Sequence, residues 1–76
     1  MENRSTQVAN DILVVRSIRN AERILSQLKD LDDETADLIG SIRTGFIAQA
    51  ITGAILSITS VKVLLIEQQE INNANR

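Results

Sequence analysis

The sequence predicts an all-α fold: a two-helix hairpin with a long second helix, built to oligomerise. Three observations carry this. Apolar residues at Val14, Ile18, Ala21, Leu25 and Leu28 recur in steps of four and three, which is helical spacing. Proline is absent and glycine occurs only at positions 40, 45 and 53, in a composition rich in good helix formers. Residues 44–61 carry no charge, so a second, far more apolar helix must be hidden from water.

The elements follow in order. Residues 1–9 read as a polar, frayed end. The first helix is expected over 10–31, with Asn10 as N-cap and Asp11 in the first turn, where a carboxylate favours the helix dipole. Val15, Ile24 and Leu31 widen its apolar stripe, and Arg16, Arg19, Glu22, Arg23, Ser26, Gln27 and Lys29 populate the other side. The acidic stretch 30–37 then offers a corner at 30–33. Asp32 caps a second helix, Asp33 and Glu34 occupy its first turn, and Leu31 faces Ala36 as a small hydrophobic staple.

The second helix is expected over 32–71, ahead of a frayed end at 72–76. One face carries Ile47, Ala50, Ile51, Ala54, Ile55, Ile58, Val61 and Leu65. Gln49, Gly53, Ser57 and Ser60 line the opposite side, interrupted by Leu56, Val63, Leu64 and Ile66. Two alternatives stand beside the hairpin. The register of the first helix runs on through Asp32 and Thr35 to Ile39, Ile42 and Phe46, which suits one continuous long helix. The β-branched run 55–66 also suits a strand. The echo between residues 15–19 and 39–43 is too short to establish a repeat.

Composition narrows the function classes. A chain of 76 residues with no Cys and no His is one folding unit without disulfide, thiolate or imidazole chemistry, and association is its remaining source of stability. A net charge of −2 argues against general nucleic-acid binding. It leaves only a phosphate contact of packaged nucleic acid to the stripe Arg16, Arg19 and Arg23. That stripe is also the candidate contact to other anionic surfaces, against the plainer reading of a solvated polar face.

No catalytic residue, cofactor or metal is expected. Thr59 or Ser60 with Lys62 would be the only nucleophile–base pairing, and helical hydroxyls more commonly bond back to carbonyls. Asp30, Asp32, Asp33, Glu34 and Asp37 lack the glycine and closing glutamate of a calcium loop, so they read as capping charge. The stripe Ser41, Gly45, Gln49, Gly53 and Ser57 repeats every four residues, a spacing that lets helices approach closely.

The tail Ser60, Val61, Lys62, Val63 and Leu64, with Ile71 and Arg76 following, resembles the C-terminal tail of type III secretion needle subunits. Those are helical hairpins of similar length, exported uncleaved, that stack into a hollow filament. The resemblance implies a helical assembly subunit. It covers a handful of positions, and the Pro-containing turn and the aromatic residues common in that family are missing.

Three burials compete for residues 44–66: a bilayer, the first helix, and sister copies. Gln49 and Lys62 suit lipid poorly, and the first helix covers only one face. The expected function is therefore a non-enzymatic, self-assembling structural subunit of a larger filament or bundle, of secretion or viral type. Its assembly interface is expected at Ile47, Ile51, Gly53, Ala54, Ile55, Ser57, Ile58, Val61 and Leu65. The competing readings are a small single-span membrane protein of holin or regulator type, and a soluble helical adaptor for another protein. No cleavable signal peptide is expected, which leaves the cytoplasm, a membrane or uncleaved export.

Overall fold

The computed structural model describes residues 4–38 and 43–75. Two helices account for nearly all of them, α1 over Arg4–Ala36 and α2 over Thr44–Ala74. At 1.5 Å per residue each helix is about 50 Å long, yet the Cα trace fits within 60 × 14 × 14 Å. The helices must therefore lie side by side, and they pack against each other along their length. The fold is a helical hairpin. The continuous-rod alternative fails on this geometry, and the strand reading of residues 55–66 fails because that run is helical throughout.

The α1 stripe is the one its sequence announces. Val14, Ile18, Leu25 and Leu28 are half-buried and Ala21 is buried, and the same register continues through half-buried Asp32 and Thr35. The three residues expected to widen it, Val15, Ile24 and Leu31, are exposed. On α2 the buried or half-buried residues are Thr44, Ile47, Ile51, Ala54, Ile55, Ile58, Lys62, Leu65, Ile66, Gln69 and Asn72. Only Ala21 and Ile51, at 5% and 6% exposure, are fully buried among the described residues. Two helices give each other one line of contact, and a single line makes a seam rather than a core.

The corner lies later than the acids suggest. Residues 30–33 are helical, and α1 runs on to Ala36. Asp32 is thus an inward-facing residue of the first helix rather than the cap of the second, and Asn10 lies inside α1 rather than at its start. Thr35 supports the extension by donating its hydroxyl to the carbonyls of Leu31 at 2.9 Å and Asp32 at 3.2 Å. The helix then tightens, with the Leu38 N–H donating to the Thr35 carbonyl at 3.1 Å and the Asp37 N–H to Glu34 at 3.4 Å.

Asp30, Asp33 and Glu34 oppose the dipole of α1, at a small cost because they are exposed to water. The chain then reverses into the start of α2. That start has little local support, since Arg43 at the N-cap makes no side-chain capping bond and the first turn holds no acid. Thr44 links the two sides of the corner by donating its hydroxyl to the Leu38 carbonyl at 3.2 Å.

At the far end α2 continues past the expected limit to Ala74, where the Asn75 N–H caps it on the Ile71 carbonyl at 3.1 Å. Gln68 donates to the Asn72 side chain at 2.8 Å one turn earlier. Met1 to Asn3, Ile39 to Ile42 and Arg76 lie outside the described residues, and with them Ser41 of the small-residue stripe and most of the echo at 39–43.

Candidate assembly surface

α2 has two apolar faces, and the hairpin uses one. Six of the nine residues expected at an assembly interface, Ile47, Ile51, Ala54, Ile55, Ile58 and Leu65, are buried or half-buried along α1. They are spent inside the chain. The other three, Gly53, Ser57 and Val61, are exposed. The more aliphatic face of the sequence pattern is the one that meets α1, and the side with Gln49, Gly53, Ser57 and Ser60 is left outward.

The outward face of α2 combines small and large neutral residues. Phe46, Leu56 and Leu64 are 71%, 63% and 64% exposed, and Gln49, Gly53, Ser57, Ser60 and Val63 lie among them, all exposed. Between Arg43 and Glu67 the sole charged residue is Lys62, and it is half-buried on the inward side. The outward face is therefore free of charge over residues 44–66, about 33 Å of helix. A Cβ built at Gly45 or Gly53 meets nothing within 4 Å, so neither glycine is required for the approach of α1.

The hydroxyls on this helix add little polarity. Thr59 donates to the Ile55 carbonyl at 2.7 Å and Ser60 to the Leu56 carbonyl at 3.0 Å. Their protons are committed to the helix backbone, which is the common helical arrangement and not that of an activated nucleophile. Among the described residues no group of three or more acids is gathered where it would hold a cation. The acids at 30–37 are spread along the last turns of α1.

The arginine stripe lies elsewhere. Arg16, Arg19 and Arg23 are exposed on the side of α1 turned away from α2. Arg16 and Arg19 border a shallow groove with Asp11, Ile12 and Val15, so the stripe is interleaved with an acid and with aliphatic residues. A second shallow groove, lined by Arg43, Phe46, Ile47 and Ala50, marks the beginning of the outward face of α2.

No protein-family model matches the chain, and no curated protein or solved structure was found similar to it. The resemblance of the tail to secretion needle subunits rests on its few positions alone.

Proposed function

We propose that this chain is a non-enzymatic structural subunit that assembles with copies of itself into a larger bundle or filament. One observation carries the reading: the hairpin leaves the outward face of α2 uncovered, largely apolar and uncharged, while among the described residues it buries only Ala21 and Ile51 completely. A contiguous apolar face of this length is the signature of an interaction surface. A seam with two buried residues is also thin support for a free monomer.

Sedimentation velocity and negative-stain microscopy of the purified chain, without detergent, test this. Large particles or filaments are the expected result. A stable monomer at micromolar concentration would rule the proposal out.

A membrane reading has one observation in its favour: α2 is long and apolar enough to cross a bilayer by length and composition. The hairpin weighs against it. Counted back from the corner, residues 16–30 of α1 run beside residues 50–64 of α2. Arg16, Arg19, Glu22, Arg23, Lys29 and Asp30 would all be carried to membrane depth, at about 2.5–3.5 kcal/mol for each basic or aspartate residue near the centre. A spanning α2 therefore requires the hairpin to open. Extraction from membranes by detergent, but not by carbonate or high salt, would favour this second reading.

A further inference from the structure

We infer that the outward face of α2 is covered by the same face of a second copy, the two α2 helices running antiparallel about a two-fold axis near Ile55. This rests on the self-assembly reading and deepens it by naming the partner and its direction.

Area is the first argument. The chain exposes 6074 Å², whereas a compact monomer of 8.4 kDa exposes about 4,600 Å² by the usual scaling with mass. The excess, about 1,500 Å², exceeds the roughly 800 Å² per partner that a standard stable interface buries.

Charge is the second, and it selects the occupant. The outward side of α1 carries Arg16, Arg19, Glu22, Arg23, Lys29 and Asp30, so docking it onto α2 would bury charges against a neutral surface. A bilayer surface would be met by a face with Arg43 as its one exposed cation, while the stripe at Arg16, Arg19 and Arg23 points away from it. Peripheral membrane helices instead flank their apolar face with Lys and Arg. The face left on the molecule that is both neutral and long enough is the outward side of α2 itself.

Charge also sets direction. A parallel pair would bring Arg43 next to Arg43 and Glu67 next to Glu67. The antiparallel pair, centred near Ile55, brings Arg43 level with Glu67 of the second copy at both ends. The same register sets Phe46 level with Leu64 of the second copy, and Gly53 level with its Ser57. Phe46 and Leu64 then fall towards the ends, while Gly53, Ser57 and the larger Leu56 lie nearest the axis. The open space above Gly53 is where a second backbone comes close. Such a pair is isologous and closes on itself. It makes a four-helix unit with charged outer flanks.

The absence of cysteine makes single-cysteine variants of the full chain a direct test, with a short bismaleimide as the thiol-to-thiol reagent. Ser57→Cys, close to the axis, is expected to form cross-linked dimers with itself. Phe46→Cys alone is expected not to, because its two copies lie about 27 Å apart along the helices. Mixed with Leu64→Cys, it should cross-link efficiently. As a second measurement, Arg43→Glu is expected to weaken association about ten-fold, and adding Glu67→Arg to restore it.

Self-cross-linking of Phe46→Cys would overturn the antiparallel arrangement. So would equal association of Arg43→Glu and the parent chain. An oligomer by sedimentation with no cross-link at any of these positions would move assembly to another face and leave the self-assembly proposal standing. A monomer in sedimentation, or a chain that floats with phosphatidylcholine–phosphatidylglycerol vesicles instead of associating, would overturn both.

Discussion

The outward sides of α1 and α2 are opposites, although the two helices share a hairpin and have nearly the same length. That of α1 interleaves arginine, lysine, aspartate and glutamate with exposed aliphatic residues, Val8, Ile12, Val15 and Ile24 among them. That of α2 is neutral over residues 44–66, and its exposed residues include Phe46, Leu56 and Leu64. Scattered apolar residues on a surface need no explanation, whereas a continuous strip does. The difference teaches that the residues of α2 that α1 covers and those it leaves uncovered are separate sets.

The largest expected effect comes from making the two outward sides alike. Gly53→Arg sets a charge in the middle of the neutral strip and should weaken self-association by about 100-fold or more. The hairpin itself should gain about 0.5–1 kcal/mol, since a helical glycine is replaced where nothing obstructs a side chain. Sedimentation equilibrium reads the first effect and urea denaturation of the dilute chain the second. A charge change on the other side, Arg19→Glu, should move neither beyond about 0.5 kcal/mol.

Ile51→Ala is next. It empties one of the two fully buried positions and should cost about 2–5 kcal/mol of hairpin stability in thermal unfolding. Leu56→Ala, on the outward face, should leave the unfolding of the dilute chain unchanged and weaken association instead. If the two variants behaved alike, folding and assembly would be one event, and the contrast between the faces of α2 would collapse.

A milder pair sharpens the same point. Lys62 is half-buried on the inward side and Gln49 is exposed on the outward side. Lys62→Leu should raise the urea midpoint, by about 1 kcal/mol of stability. Gln49→Leu should leave that midpoint in place and strengthen association. Smallest is Thr44→Val, which removes the hydroxyl that reaches the Leu38 carbonyl at 3.2 Å. It should cost about 0.5–1.5 kcal/mol, read as a lower urea midpoint.

What could be read from the sequence divides along similar lines. Val14, Ile18, Ala21, Leu25 and Leu28 announced the α1 side of the seam, and Asp32 and Thr35 continue it in the same register. The register was sound; the place where it stops was misjudged. Acids at 30–33 satisfy the rules for starting a helix, but those rules act locally, and the seam with α2 carries α1 on through half-buried Asp32 and Thr35.

The candidate surface was half legible. Periodicity separates α2 into an aliphatic side and one with Gln49, Gly53, Ser57 and Ser60; the expected interface falls mostly on the aliphatic side, which α1 covers. Lys62 was a second clue. A half-buried lysine fits a seam beside α1, where its stem packs and its amine reaches out past a two-helix edge, better than the middle of a neutral strip.

The order of the helices along the chain has a consequence for its birth. Synthesis runs at about 5–20 residues per second, so α1 emerges some seconds before α2 is complete. Being charged on one side and apolar on the other, it can wait in water. When α2 follows, its inward side has a template at hand, while its outward side has none within the same molecule. Newly made chains on neighbouring ribosomes of one message are the nearest source of a second copy. On the self-assembly proposal, output from closely spaced ribosomes should assemble with fewer losses to aggregation than the same number of chains made far apart.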